Sequence, residues 1–373
     1  PHESEYVNQR WRSREFISGF TGSAGTVVIT MDKALIWVDS RYFVQCANQI
    51  KRTCFEMKKV DGPEASNPYD WICENVRKNA KVGIAAETLM AADEKRLSQK
   101  GINICPCDDI LNQVWEKRPA MPAFPVVEMP VELSGESVKS KIARIREKAK
   151  ADGASYVLIS SLDDIAWILN LRGSDIEDTP VFMAHLLIGP KDVKLFTPEE
   201  RFNGVNLSEK DFTVLPYDSV CSELALVKGT VCLNPKRINM MLYSSLNKDN
   251  VTIIEKEEYS TLFKACKNDV ELEGMRTAHI LDGVAMVNFL AAVASKKKSY
   301  TEVSIAEDLE EERALEESYC GPSFETIAGF AHHGAVVHYS ATNKTDIPLS
   351  GFSAAEDDID LGSNKLINVA TPE

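Results

Sequence analysis

The sequence has no apolar run long enough to cross a membrane, and it carries too little positive charge to suit an anionic polymer. The longest apolar stretch, 283–294, contains Asn288 and is shorter than the ~20 residues that a spanning helix needs. Lysine and arginine total 42 against 56 aspartate and glutamate residues, for a net charge of −14. The lysine run 296–298 is typical of a solvated helix end rather than of a basic patch. We therefore expect neither a membrane nor a nucleic-acid partner.

Low-complexity tracts and a disulfide framework are also missing. Hydrophobic residues make up 44% and charged residues 26% of the 373 positions, which is the composition of a globular protein with two or three domains. The nine cysteines are odd in number and scattered, which indicates a reducing compartment, and we expect a cytoplasmic protein. Cys105 and Cys107 lack a second pair with zinc spacing, so burial is favoured over a metal site. The chain starts at Pro1, without methionine, and we expect its native N-terminus to be missing.

Strand-like and helix-like segments alternate from residue 25 onward, which predicts layered α/β domains with a parallel or mixed sheet. The first two strands, 25–30 and 34–38, are expected to form a hairpin. Four prolines between 119 and 130 predict a stiff linker after a first domain. A second alternating segment follows. The other helices expected in these two domains are 69–79, 92–99, 109–115 and 136–152, and the other strands are 82–86, 102–105, 156–160, 184–188 and 193–196.

Two helix starts indicate a third unit. Asn268 and Glu271 have the spacing of a capping pair and predict a helix that runs to about Ser295. Ser299 and Glu302 have the same spacing and predict a second helix start. The pattern then becomes strand-like and rich in glycine.

Three polar motifs each have a structural and a functional interpretation. The glycine-rich segment Ser18–Gly25 lacks the Gly-Lys-Ser/Thr ending of a phosphate loop, and no helix follows it, so the tight start of a strand is favoured. Asp39 and Arg41 are expected to bridge a strand end and a helix start rather than to form a binding edge. Arg172 and Asp175 are expected to pair with each other and to satisfy backbone groups.

Histidines near the end of the chain suggest a site. His332, His333 and His338 are of the residue type that most often binds zinc-like ions. If 335–339 is a strand, His333 and His338 point to opposite faces, which disfavours a metal site built from these residues alone. His338 as a substrate-pocket residue is the sharper hypothesis. His279, in the middle of a predicted helix, is expected to be a satisfied core or interface histidine.

Motifs in all three segments match one family in order and spacing. They are Pro1-His-Glu-Ser-Glu-Tyr6, the segments 16–25 and 37–43, the segment 162–175 with its Asn-Leu-Arg-Gly-Ser-Asp, the segment 267–279, and Gly334-Ala-Val-Val-His-Tyr339. Together they resemble the three-domain, cytosolic type of Xaa-Pro aminopeptidase. The resemblance implies an α/β protein in which two creatinase-like N-terminal domains, 1–120 and 121–262, have mixed sheets flanked by helices. The start of a pita-bread (α+β) catalytic domain at 263–373 is implied to follow them.

The same resemblance implies a chemistry. Members of the family release the N-terminal residue from peptides with proline in the second position, using two Mn²⁺-type ions that activate a water. His338 matches the histidine of the family's His-Tyr motif, and its implied role is to contact the substrate and stabilise the tetrahedral intermediate. Asp360, or alternatively Asp358, lies at about the right distance for the first aspartate ligand. Xaa-Pro peptides and a second copy of the chain are the implied partners.

Beyond residue 362 the sequence departs from the family pattern. No histidine follows His338, and Glu373 is the one carboxylate side chain left after Asp360. Asn368 is a neutral amide and a poor ligand for a hard cation. We therefore expect a catalytically incomplete chain that does not itself bind the two ions and whose apolar faces after about Lys264 lack partners. The alternative is a truncated pseudopeptidase that acts as a binding or dimerisation module, and a metal-free creatinase-like hydrolase is a weaker third hypothesis.

Overall fold

The computed structural model describes residues 2–77, 79–203, 205, 207, 210–295 and 298–349, together with the backbone of 359–361 and 364–366. The chain divides into two compact units, Pro1–Gly274 and Met275–Glu373. The α-helices are Ser13–Ser18 (α1), Phe43–Gln49 (α2), Pro68–Asn75 (α3), Ala91–Gln99 (α4), Val131–Ser134 (α5), Val138–Ala151 (α6), Leu162–Leu169 (α7), Val220–Ala225 (α8), Met240–Ser245 (α9), Tyr259–Ala265 (α10), Asp269–Ala294 (α11) and Glu302–Arg313 (α12). The strands are Thr26–Ile29 (β1), Ala34–Val38 (β2), Phe55–Lys59 (β3), Lys81–Ala85 (β4), Asn103–Cys107 (β5), Val127–Glu128 (β6), Tyr156–Ile159 (β7), Leu171–Arg172 (β8), His185–Ile188 (β9), Val193–Phe196 (β10), Thr213–Leu215 (β11), Gly229–Leu233 (β12), Val251–Glu255 (β13), Ile359–Leu361 (β14) and Asn364–Leu366 (β15).

The first unit opens with a small mixed sheet. β1 and β2 form the predicted antiparallel hairpin, and β3 pairs parallel to the other edge of β2. The central strand β2 is buried from Leu35 to Val38, which accounts for its unbroken apolar sequence. β4 and β5 pair parallel in a separate two-stranded sheet. The predicted helix at 109–115 is reduced to a short 3-10 helix, Ile110–Gln113.

A six-stranded mixed sheet forms the centre of the next part of the first unit, in the order β11-β10-β9-β7-β12-β13. β9 is antiparallel to both β7 and β10, whereas β7, β12 and β13 run parallel to one another. Alternate residues of β7 enter different cores, because Val157 and Ile159 pack with α6 and α7 while Leu158 packs with α8 and α9. The sheet is therefore covered by helices on both faces, as the α/β pattern predicted.

The two parts of the first unit are joined by backbone hydrogen bonds at two helix starts. The amide of Ala91, in the first turn of α4, donates to the carbonyl of Ile238 at 2.9 Å. The amide of Met240, the first residue of α9, donates to the carbonyl of Leu89 at 2.7 Å. Each bond satisfies an amide that a helix leaves unpaired at its N-terminus. The two parts of the first unit are therefore joined by hydrogen bonds from helix N-terminal amides that have no acceptor within their own helix.

The glycine-rich segment at 18–25 is the start of a strand, as predicted. Its carbonyls face a cation, since the guanidinium of Arg14 donates to the backbone oxygens of Gly22 and Gly25. A Cβ at Gly22 would lie 2.2 Å from the ring of Phe20, so only glycine fits there. The segment leads directly into β1, and its glycines serve close packing rather than anion binding.

The prediction for Asp39 and Arg41 is confirmed. Arg172 and Asp175 both bond to backbone groups, as predicted, but the predicted pair between them is wrong. Asp39 caps the short helix Ser40–Tyr42 and forms an ion pair with Arg41 at 2.8 Å. Asp175 pairs instead with Arg201 at 3.0 Å, and both side chains are fully buried. Arg172 donates to two backbone carbonyls. The short spacing in sequence did not identify the partner of Asp175, because the 3-10 helix Glu199–Phe202 brings the guanidinium of Arg201 to that carboxylate.

A buried lysine organises the region where α11 begins. The ammonium of Lys141 donates to the carbonyl of Trp167 at 2.9 Å and to Oδ1 of Asn170 at 2.6 Å, and it lies 4.2 Å from the centre of the Trp167 ring. Burial lowers the pKa of Lys141 to about 8. The indole N–H of Trp167 in turn donates to the carboxylate of Glu271 at 2.9 Å. The start of α11 is thus tied to α7 through Trp167.

The first predicted capping pair is confirmed and the second is wrong. The amide of Glu271 donates to the side chain of Asn268, and the amide of Asn268 donates back to the carboxylate of Glu271, each at 3.0 Å. The next helix, α12, is capped by Thr301 and Ser304 instead of Ser299 and Glu302. Glu302 turns away from the cap because its carboxylate is buried under the segment that follows α12.

The long helix α11 is largely exposed. Of its residues, Ala285, Phe289 and Val293 are buried, while Ile280 and Val287 are 67% and 65% exposed. His279 is satisfied, since its Nδ1 bonds to the backbone oxygen of Met275 at 2.8 Å, but it lies on the surface and not in a core. Length and composition alone would let α11 cross a bilayer, which is weak evidence for a single helix, so the absence of a membrane partner stays a prediction.

Candidate active-site segment

A buried carboxylate organises the segment that contains the three clustered histidines. Glu302 is the first residue of α12, and its side chain is fully buried. Its carboxylate accepts hydrogen bonds from the amide of Phe330 at 2.6 Å, the hydroxyl of Tyr339 at 2.8 Å and Nδ1 of His333 at 2.9 Å. Hydrogen bonds to an ionised acceptor are roughly twice as strong as neutral ones. Glu302 therefore binds both ends of the segment 330–339.

The backbone of this segment is not the strand considered at 335–339. Residues Ala331–Ala335 form a 3-10 helix, and 336–339 continue as a turn without strand pairing. Ala331 has a positive φ of 51°, which lets the chain reverse after Phe330. The ring of Tyr339 stacks on that of His333 with 4.5 Å between centroids. The polar groups at both ends of the segment bond to Glu302, so the segment folds back on α12 rather than extending.

The three histidines lie in different surroundings. His333 is mostly covered, with 15% of its side chain exposed, because Glu302 and Tyr339 pack against it. His332 is exposed, and its ring lies 4.2 Å from that of His333. His338 is also exposed and directly precedes the buried Tyr339. The predicted substrate residue is therefore the accessible neighbour of an anchored tyrosine.

Opposing effects set the pKa of Glu302. Burial alone would raise the pKa of this carboxyl, but hydrogen bonds from Phe330, Tyr339 and His333 favour the anion and hold the pKa below its ordinary value. Burial and the adjacent Glu302 carboxylate raise the pKa of Tyr339, against a smaller lowering by its hydrogen bond with Thr345. Around neutral pH, Glu302 is consequently an ionised acceptor and Tyr339 a protonated donor.

The candidate metal ligands lie at the edge of what the structure describes. Asp360 is the central residue of β14, whose backbone pairs antiparallel with β15, and Asp358 lies outside the described residues. Across the described ranges, no three His, Cys, Asp or Glu side chains lie together in a way that would hold a metal ion. The residues described do not by themselves fit a dinuclear centre, and the assignment of Asp360 or Asp358 stays a prediction.

The sequence indicates His338 as a candidate but not the side chains that surround it. Its patterns place Glu302 in a cap and His333 among candidate metal ligands, whereas in the structure His333 donates to the Glu302 carboxylate. One sequence signal could have indicated a different role for Glu302. Thr301 and Ser304 form a complete cap by themselves, so the carboxylate of Glu302, at the first helical position, is not needed for capping. Nothing local indicates that Tyr339, 37 residues later, completes the cluster.

Acid is expected to weaken the hold of Glu302 on its segment. Because the pKa of Glu302 is lower in the folded state, its stabilising contribution is fully present above its unfolded pKa and is lost as pH falls through the folded value. At pH 7, Glu302→Gln should cost about 1–3 kcal/mol of unfolding free energy, since a neutral amide cannot accept from three donors. Urea unfolding from pH 7 to pH 3 should show this difference shrinking. The exposed Glu307→Gln is the matched control, and a difference that stays constant down to pH 3 would contradict the assignment.

Comparison with known families matches the chain almost end to end. Residues 7–114 and 117–271 each match a family model of the creatinase/prolidase N-terminal domain. Residues 273–369 match metallopeptidase family M24. The predicted fold class, two creatinase-like domains followed by pita-bread-type sequence, is thereby confirmed. The domain boundaries at 120 and 262 stay predictions.

Curated relatives and a solved structure are similar to the chain over most of its length. Xaa-Pro aminopeptidase 1 of Dictyostelium discoideum is 34% identical over 372 residues, which cover 93% of this chain and 59% of the relative. Aminopeptidase P1 of Arabidopsis thaliana is 31% identical over 398 residues, which cover 91% of this chain and 61% of the relative. The X-prolyl aminopeptidase of Caenorhabditis elegans, a cytosolic enzyme with a di-nuclear active site, is 28% identical, with a TM-score of 0.86 over 93% of this chain and 59% of that chain.

The chain therefore spans about three fifths of the length of these relatives. Within that span, the order of domains agrees with the motifs at 16–25, 162–175 and 334–339 that suggested the family. The chain thus carries two creatinase/prolidase N-terminal domains ahead of M24 metallopeptidase sequence, and over 91–93% of its length it is similar to Xaa-Pro aminopeptidases.

Proposed function

We propose that the full-length protein is a metal-dependent aminopeptidase that releases the N-terminal residue from peptides with proline in the second position. The observation that carries this proposal is the match to an X-prolyl aminopeptidase structure, with a TM-score of 0.86 over 93% of the chain. The curated relatives are aminopeptidases too, which favours an enzyme over the alternative of a binding or dimerisation module.

His338 is proposed as the catalytic and substrate-binding residue of this chain. Its imidazole is exposed, so it is accessible to a peptide, and the next residue, Tyr339, is buried and bonded to Glu302. A donor held in place before the reaction stabilises developing negative charge at low reorganisation cost. His338 would therefore contact the substrate and stabilise the oxyanion of the tetrahedral intermediate.

Asp360, or alternatively Asp358, is proposed as the first carboxylate ligand of two Mn²⁺-type ions. Carboxylate oxygens are the ligands that hard cations prefer, and the C. elegans relative has a di-nuclear active site. A cytoplasmic location is supported by that relative, which is a cytosolic enzyme, and by the nine cysteines, all of them free thiols. A homodimer is proposed on the family resemblance alone.

Hydrolysis of matched tripeptides tests the proposed activity. The full-length protein, supplied with Mn²⁺, is expected to release free arginine from Arg-Pro-Pro and to cleave Arg-Ala-Pro at least ~100-fold more slowly, since a pocket shaped for proline discriminates by fit. Chromatography of the released amino acid measures both rates. Equal rates for the two peptides would overturn the proline requirement, and no release from either would overturn the peptidase assignment.

A further inference from the structure

We propose that Glu302 is a positioning residue for His338, acting through His333 and Tyr339 to keep the segment 330–339 in one conformation. The catalytic role of His338 rests on the proposed function. The network that holds the segment rests on contacts within the second unit. Glu302 would thereby support the reaction without itself touching the substrate.

Glu302 is too enclosed to take part in the chemistry directly. Its side chain is fully buried, and three donors from three different residues converge on its two oxygens. A carboxylate in this state has little capacity left for a metal ion, a water or a peptide amine. We expect such a carboxylate to fix the positions of its donors, because moving any of them would leave a buried anion without a hydrogen-bond partner.

The contacts of Glu302 close the segment at both ends. Phe330 at the beginning and Tyr339 at the end bond to the same carboxylate, 28 and 37 residues from Glu302 in sequence. The 3-10 helix between them adds a bond from the amide of Val336 to the carbonyl of His333 at 3.0 Å. Since ordering each residue costs conformational entropy, a loop of this length does not hold one shape without such anchors.

Tyr339 transmits this constraint to its neighbour. Its hydroxyl donates to Glu302 at 2.8 Å, and its ring stacks on the imidazole of His333, with 22° between the ring planes. The bond from Nδ1 of His333 to the carboxylate requires the hydrogen on that nitrogen, which fixes the orientation of the ring. His338 directly precedes Tyr339, so its Cα has little freedom to move. The backbone from which the His338 imidazole extends is therefore fixed in position.

Two substitutions separate the charge of the anchor from its packing. Glu302→Gln keeps the size of the side chain but loses the charge and one acceptor. Tyr339→Phe keeps the stack on His333 and removes only the hydroxyl that reaches Glu302. The matched controls are Glu307→Gln, on an exposed position of the same helix, and Tyr319→Phe, which removes a hydroxyl that donates to Glu310 at 2.7 Å.

Kinetics on the full-length protein with Arg-Pro-Pro and Mn²⁺ test the proposal. Glu302→Gln and Tyr339→Phe are expected to lower kcat by roughly 10- to 100-fold with little change in KM, because a displacement of about 1 Å of a catalytic group has an effect of this size. The two controls should stay within about twofold of the unsubstituted protein. Equal kcat for Tyr339→Phe and Tyr319→Phe would overturn the positioning role.

A second measurement does not depend on activity. With ¹³C-labelled histidine, the NMR resonance of His338, assigned by its loss in His338→Ala, is expected to shift and broaden in both test variants and in neither control. If the unsubstituted protein hydrolyses no Xaa-Pro peptide, the proposed function fails, and this resonance still decides the positioning. An unaltered His338 resonance in Tyr339→Phe, with or without activity, would overturn the inference. Should Glu302→Gln fail to fold, Tyr339→Phe carries both measurements.

Discussion

Replacing Arg201 by methionine is expected to lower the free energy of unfolding by about 3–5 kcal/mol, because it leaves the Asp175 carboxylate buried without its counter-ion. The two side chains are fully buried and lie 3.0 Å apart. The guanidinium also donates to the carbonyl of Pro122 at 2.9 Å, and the carbonyl of Arg201 accepts the amide of Val126 at 3.1 Å. Arg201 thus holds the proline-rich linker as well as the carboxylate.

Urea unfolding of this variant beside an exposed counterpart measures the effect. Arg41→Met breaks the pair between Arg41 and Asp39, whose side chains are 49% and 21% exposed, and should lower the free energy of unfolding far less, because solvent screens an exposed pair. The double variant Arg201→Met with Asp175→Asn should be less destabilised than the sum of the two single changes, since no net charge is then left buried. Similar losses for Arg201→Met and Arg41→Met would contradict the importance assigned to the buried pair.

Removing the imidazole of His338 is expected to have the largest effect on activity. In the full-length protein, His338→Ala should lower kcat/KM for Arg-Pro-Pro by roughly 10²- to 10³-fold, the range found when one oxyanion donor is removed. The fold should be unaffected, because His338 is exposed whereas the adjacent Tyr339 carries the contact with Glu302. Steady-state kinetics and the thermal unfolding midpoint, measured on the same preparation, separate the two effects.

His332→Ala is the matched control for this prediction. His332 is exposed like His338 and lies six positions earlier, and its ring lies 4.2 Å from that of His333 in the anchored cluster. Its removal should change kcat/KM by less than about threefold. If both substitutions reduce kcat/KM equally, the segment contributes through its general shape or charge, and the assignment of a specific role to His338 is wrong.

Several elements of the fold could be predicted because their signals are local. The hairpin of β1 and β2 follows from two β-branched runs around a short polar turn, and the cap of α11 follows from Asn268 and Glu271 three residues apart. β3 was not predicted, since Glu56, Lys58 and Lys59 give it a polar appearance. It becomes a strand through its parallel pairing with the buried β2.

The candidate site likewise contains one residue that the sequence indicates and others that only the structure shows. His338 could be identified from its His-Tyr motif, which is contiguous in sequence, and its role stays a prediction. The anchor beneath it could not be identified, because Glu302 and Ser299 fit a capping pattern as well as Thr301 and Ser304 do. Burial of the carboxylate under the segment 330–339 selects between the two caps, and this burial exists only in the folded chain.

The sequence by itself determined the resemblance to the Xaa-Pro aminopeptidases and the alternation of strands and helices, and it indicated His338 as the candidate substrate residue. Only the tertiary structure decided which partner each buried charge has: Arg201 for Asp175, and His333 with Tyr339 for Glu302. The physical reason is that hydrophobic periodicity and capping are read from neighbouring residues, whereas a buried carboxylate must find donors wherever the packed chain brings them, tens of residues away.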